Sequence, residues 1–484
     1  QSSRHSLRAR GPTASPPLLS PGEGRGEGAM CDAATDGSPV DTGPEELGTG
    51  PQVAAAKRAR YARLLAAAAD SGGLSLGDLP LAVVAARLTP KDCLVLPILS
   101  SAVLAACRRE RPALDLSRGN ARVKSKFVST LARAGCFRVV NVWLQKELTD
   151  AELSAIVGIP GFALSIMNLS VHGCRQLVDA SPIGQCKGLR SLDLSWCAKL
   201  TKLEGLSGCS NLHTLSLTEC NRLRHIWGLG GCAALKTLHL SWCEQLSNVT
   251  GLAGCASLQA LQLTGCAWLS GLAGLSSCSG LQTLNLSKVP RLADVSELAG
   301  CTGLAFLNLA DCSRLSDVSA LSGCAALRQL DLSGCARLRD VSGLNGCASL
   351  RKIDLSGCGN LVDISGLAGL EALEEVDLSN SPKLVDVSAL GTCSRLRELD
   401  LFNCAKVESV STLGGCKDLT TLNLSGCKQL SDVAGLAGCT SLEWLDLSVC
   451  DHLGDITGLK ECKRLTSVNL SNCRSLPDIR ELAQ

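Results

Sequence analysis

The stretch LRQLDLSGCARLRDVSGLNGCASL, Leu327 to Leu350, decides the fold. Its grammar, LxxLxLSGCxxLxDVSxLxGCxx, recurs along most of the chain. The middle leucine of LxxLxL falls at Leu192, Leu215, Leu238, Leu261, Leu284, Leu307, Leu330, Ile353, Val376, Leu399, Leu422, Leu445 and Val468, at one constant interval. Thirteen units therefore follow one another without insertion or deletion, and a looser one, LSIMNLSVHGC around Met167, precedes them. Self-similarity at a fixed short period is the signature of a stacked repeat array. Alternation of apolar residues in LxLxL predicts a short strand with one buried face. The DVS triplet and the glycine after it turn the chain, and the remaining leucines face inward from the opposite side.

This unit resembles the leucine-rich repeat family, over roughly residues 137–484. So short a unit has no room for a full helix on the outer face. The nearest resemblance is therefore to the internalin-like kind, with turns or 3₁₀ pieces there. The resemblance implies an α/β leucine-rich-repeat solenoid: a curved parallel sheet of about 14 repeats, each strand about 4.8 Å from the next, serving as a protein-binding module.

The cysteines fall into this frame. Of the 28, 24 lie in the array, in two columns. One includes Cys197, Cys220, Cys335 and Cys358 and is interrupted by Val289 and Ser381; the other includes Cys209, Cys324 and Cys347, with Leu370 as its exception. The first column matches the place where most leucine-rich repeats carry Asn to satisfy backbone groups after the strand. A thiol does this weakly and fills a small core site. Spacings alternate between 11 and 12 with no CxxC, which argues against metal. Neighbouring coils bring like cysteines within disulfide range. Yet a column that accepts Val, Ser or Leu behaves as packing, so buried free thiols and a cytoplasmic or other reducing compartment are expected. Five N-x-S/T triplets, at Asn168, Asn248, Asn285, Asn423 and Asn469, follow from the repeat grammar.

Outside the array, residues 1–52 are rich in Gly, Pro and Ser and read as a disordered leader. The stretch from Gln1 to Gly22 carries Arg and no acid, a pattern that fits a transit peptide as well as a flexible leader upstream of Met30. Residues 53–135 form a different, helical domain, and 136–484 the array. Within the former, Leu79-Pro80 opening a helix, then LTPKDCLVL, an apolar helix and LDLS resemble an F-box, the adaptor-binding module of cullin-type ubiquitin ligases. The resemblance implies that Leu79 and Pro80 touch the ligase adaptor. The first helix is short for that family and the usual Trp of the last helix is absent, so a plain cap over the first apolar layer is the other reading. After it, FRVVNVWLQKELTDAELSAIVG predicts a longer repeat, VVNV as strand and TDAELSAIV as helix with Thr149 as N-cap.

Net charge is +2, which argues against a wholesale nucleic-acid or membrane-surface protein. No apolar run is long enough to span a membrane. No GxxxxGK[ST], HExxH or GxSxG occurs, and the six histidines are scattered, so neither enzyme chemistry nor a cofactor is expected. The informative positions are the outward ones of each strand. Between the two strand leucines stand four consecutive aspartates, Asp331, Asp354, Asp377 and Asp400, with Glu375 and Glu398 beside them and Phe306, Phe402 and Trp444 flanking. They read either as solvated repeat grammar or as an acidic, aromatic-edged groove for a basic segment of a protein partner. A basic column, Lys199, Arg222, Arg291, Arg314, Arg337, Lys383 and Lys406, lies in the loop after each strand. The DVS aspartates are assigned to turn capping. Three functions fit: an interaction scaffold, an F-box-type substrate receptor, and a surface recognition protein.

Overall fold

A computed structural model describes residues 113–115, 138–144, 147–159 and 161–476. Each coil is built from eight inward residues. In the coil quoted above they are Leu327, Leu330, Leu332, Cys335, Leu338, Val341, Leu344 and Cys347, each at most 2% exposed. Their spacing is two across the strand and three everywhere else. The interval of three has a backbone cause at most of these steps. The N–H of one inward residue closes on the carbonyl of the inward residue before it, as in Leu338 to Cys335 (3.0 Å), Leu344 to Val341 (2.9 Å) and Cys347 to Leu344 (2.9 Å). A chain that turns every third residue has no span for an α-helix, and 3₁₀ turns such as Ser342–Leu344 occupy the outer side.

Among the described residues, sixteen parallel strands form one sheet in chain order. The first are β1 (Ala113–Asp115), β2 (Arg138–Trp143), β3 (Asn168–Ser170) and β4 (Ser191–Asp193); one strand per coil follows, ending at β16 (Ser467–Asn469). From β3 onward every pairing is in register at one repeat period, Leu169 against Leu192 and Leu330 against Ile353. The β2–β3 step is longer, Asn141 against Asn168. It holds the expected helix, α1 (Asp150–Val157), with Thr149 in a capping box with Glu152, and a short α2 (Phe162–Ser165). Ala113–Asp115, within the LDLS that the sequence places at the end of the N-terminal helical domain, is a strand paired to β2. An exposed parallel edge leaves backbone groups unpaired, and β1 satisfies that of β2. The rest of residues 53–135 lies outside the described residues.

The 24 cysteines of the two columns are free thiols. Both columns share one geometry: Sγ donates to a carbonyl of the preceding coil. Cys358 meets Leu332 O at 3.3 Å and Cys347 meets Leu321 O at 3.2 Å. Those carbonyls already accept the N–H three residues on, from Cys335 and Cys324. The thiol thus fills the second lone pair at a coil-to-coil seam. Burial pushes Cys358 and Cys347 up to about 12, which keeps them protonated donors. Ser381, at a lapse in the first column, is fully buried, and its Oγ has no hydrogen-bond partner among the described residues.

Candidate functional site

The outward strand positions form two parallel rows on one face. The first row runs Phe306, Gln329, Lys352, Glu375, Glu398, Thr421, Trp444, one residue from each of β9 (Phe306–Asn308), β10 (Gln329–Asp331), β11 (Lys352–Asp354), β12 (Glu375–Asp377), β13 (Glu398–Asp400), β14 (Thr421–Asn423) and β15 (Trp444–Asp446). The register sets Asp331 against Asp354, Asp377 and Asp400 in the second row. Asn308 and Asn423 bound that run, their Nδ2 atoms donating to Asp331 (3.0 Å) and Asp400 (3.2 Å). The two inner aspartates have no cross-strand donor among the described residues.

Each of these aspartates also has a local task. Oδ1 of Asp331, Asp354, Asp377 and Asp400 accepts the N–H two residues on, at 3.0, 2.9, 2.8 and 2.7 Å, and so closes the turn that leaves the strand. Asn285, Asn308 and Asn423 do the same with a neutral amide. The turn needs an Asx oxygen and not a charge. The charge is therefore an addition in this stretch, and an unfavourable one. Burial, with a smaller push from neighbouring aspartates, raises Asp331 and Asp377 above the usual carboxylate range, and their hydrogen bonds only partly offset it. Lys352 is bound at 2.6 Å to Glu375 and does not neutralise the row. The DVS aspartates cap the 3₁₀ turns as expected, Asp363 accepting from Ser365 N at 2.7 Å.

The nine residues singled out from sequence do not all sit alike. Phe306 and Trp444 stand in the first row with Glu375 and Glu398 between them. Phe402 is not on a strand; it lies in the turn after β13, 43% exposed. Leu79 and Pro80 lie outside the described residues.

Two features escaped the sequence reading. All six tryptophans are exposed, and five of them, Trp143, Trp196, Trp227, Trp242 and Trp268, precede β8 (Thr283–Asn285). Trp196 and Trp242 hold left-handed backbone, φ 63° and 61°, at a turn position that most other coils fill with glycine or asparagine. Arg291 lies over the Trp268 ring, 4.2 Å from its centroid. Over the same coils the repeat grammar lapses: DVS is replaced by Lys202-Leu203-Glu204 and His225-Ile226-Trp227, and the Asx row by Ser216, His239 and Gln262. An array is its own alignment, and these lapses were the available signal.

A family model for leucine-rich repeats (two copies) matches residues 394–438. No curated protein matches the chain in sequence. Among solved structures, a leucine-rich-repeat protein of Leptospira interrogans is 20% identical with a TM-score of 0.53, over 69% of this chain and 83% of its own. An internalin of Listeria monocytogenes is 23% identical with a TM-score of 0.49, over 59% of this chain and 81% of its own. Among the described residues no helix is long and apolar enough to cross a membrane. The in-register coils and the fold shared with the Leptospira protein give the chain a leucine-rich-repeat fold, and residues 394–438 match the repeat family in sequence.

Proposed function

We propose that the chain is a protein-binding scaffold that takes a basic segment of a partner along the sheet face between Phe306 and Trp444. The observation that carries this is the charge added to the Asx row. Asparagine satisfies the same turn in neighbouring coils, yet four consecutive coils carry aspartate and two of them carry glutamate in the row beside it. Like charges in register cost stability, and a cationic partner relieves that cost. Phe306 and Trp444 stand six strand steps apart, about 29 Å at the spacing of paired strands, which is the reach of roughly nine extended residues. They supply an apolar contact at each end of the acidic stretch. The buried free thiols suit a reducing compartment.

The test uses a labelled arginine-rich decapeptide at low salt. Changing Asp354, Asp377 and Asp400 to Asn preserves the turn acceptors and should weaken binding at least tenfold, mostly by slowing association. Changing the turn-capping Asp317, Asp340 and Asp363 to Asn removes the same charge elsewhere and should leave binding nearly intact. Equal loss in both triple variants, or none in the first, refutes the proposal.

A further inference from the structure

Two stretches five coils apart differ in a revealing way. NRLRHIWGL, Asn221 to Leu229, aligns with ARLRDVSGL, Ala336 to Leu344. The arginine pair is kept, Arg222 and Arg224 against Arg337 and Arg339, but His225 stands where the later coil has Asp340, and Trp227 where it has Ser342. One coil earlier the same exchange occurs, Lys202 against Asp317. The later flank thus sets two arginines beside two carboxylates. The earlier one sets Lys202, Arg222 and Arg224 beside an imidazole.

The structure turns this into a place. Thr201, Lys202, Arg222, Arg224, His225 and Gln245, from three successive coils, line a cleft of about 650 Å³ between strand and 3₁₀ turn. Among the described residues no ion pair reaches Lys202, Arg222 or Arg224, although Asp179, Glu204 and Glu244 lie close in the repeat frame. Arg224 Nε donates to Gln245 Oε1 at 3.2 Å, which fixes the guanidinium across the coil boundary. His225 is stacked on the exposed Trp227, centroids 4.3 Å apart and planes 10° apart, and its Nδ1 is buried without a hydrogen-bond partner. Uncompensated cations at a cleft, beside an imidazole held by ring stacking, match a compact multivalent oxyanion.

We propose that this cleft binds a phosphate monoester group, with Arg222, Arg224 and Lys202 supplying the charge and His225 a ring nitrogen held by Trp227. The site is separate from the acidic sheet face and does not depend on it. The later flank shows why aspartate is absent here: Asp340 accepts Ser342 Oγ at 2.7 Å and Asp317 accepts Ser319 N at 2.7 Å, so both caps place a carboxylate where an anion would sit.

Titration calorimetry of the full chain at constant ionic strength would use inorganic phosphate, O-phosphoserine and a phosphoserine decapeptide, with chloride as the blank. Binding of phosphate and phosphoserine is expected. His225→Asp rebuilds the arrangement of the Asp340 coil, so it should fold normally and weaken binding at least tenfold; Arg224→Gln should do likewise. Arg339→Gln, the same residue type in the flank that carries carboxylates, should leave affinity unchanged. A peptide bound tenfold tighter than phosphoserine identifies a phosphorylated protein as the source, and equal affinities identify a free phosphate monoester. No heat with any phosphate compound at 10-millimolar order, unchanged affinity in His225→Asp, or equal loss in Arg339→Gln and Arg224→Gln overturns the proposal.

Discussion

Cys358 tests why the array uses cysteine. Its side chain is fully buried, and Sγ sits 3.3 Å from Leu332 O, a carbonyl that also holds the Cys335 N–H at 3.2 Å. If the thiol is chiefly a core filler with a weak hydrogen bond, serine should be worse than valine. Cys358→Ser loses apolar burial equivalent to about one methylene, roughly 0.8 kcal/mol. It also strands a hydroxyl, because the shorter C–O bond pulls the donor back, and that costs about 1–3 kcal/mol. Ser381 shows this outcome within the chain, buried with no partner for Oγ among the described residues. The serine variant should therefore lose about 2–4 kcal/mol in all. Cys358→Val gives up the S–H···O contact, on the order of 0.5 kcal/mol, and gains a methyl in a space that Val289 fills elsewhere with no exposure. It should stay within about 1 kcal/mol of the unchanged protein. Urea unfolding in the presence of reductant, with midpoint and slope both fitted, separates the two. A valine variant less stable than the serine variant would refute the packing account and make the thiol column a hydrogen-bonding ladder first.

Two further outcomes follow from the coil geometry and the acidic row. A Cβ on Gly366 would lie 1.9 Å from Val341 O of the preceding coil, so Gly366→Ala should force the coils apart and cost about 1–3 kcal/mol, read as a lower urea midpoint; an unchanged midpoint would contradict the close approach. Asp377 binds its proton more tightly folded than unfolded, so its ionisation opposes folding, and the penalty develops as pH rises from the usual carboxylate value through the raised one. Asp377→Asn should accordingly raise Tm at pH 7, with the difference closing near pH 3; a Tm gain that persists in acid would mean the effect is not electrostatic.

Much of the coil is legible in a single unit of sequence. The period, the strand around Leu330, the inward leucines, the turn-capping role of Asp363 and the N-cap at Thr149 are all written there, where neighbours in space are neighbours in sequence. Local hydrogen bonding and burial dictate them, so residue type and spacing suffice. The seams between coils are not legible in the same way. Nothing in a single unit says that Cys358 Sγ meets the Leu332 carbonyl of the coil before it. Nor does it say that the aspartates of LDLS close turns while standing in register with one another, or that β1 extends the sheet upstream. The cleft is the clearest case: Lys202, Arg222, His225 and Gln245 come from three coils and meet only because those coils stack. The constant period already aligns like positions in neighbouring coils, but the packing of whole layers against each other decided which side chains of different columns meet.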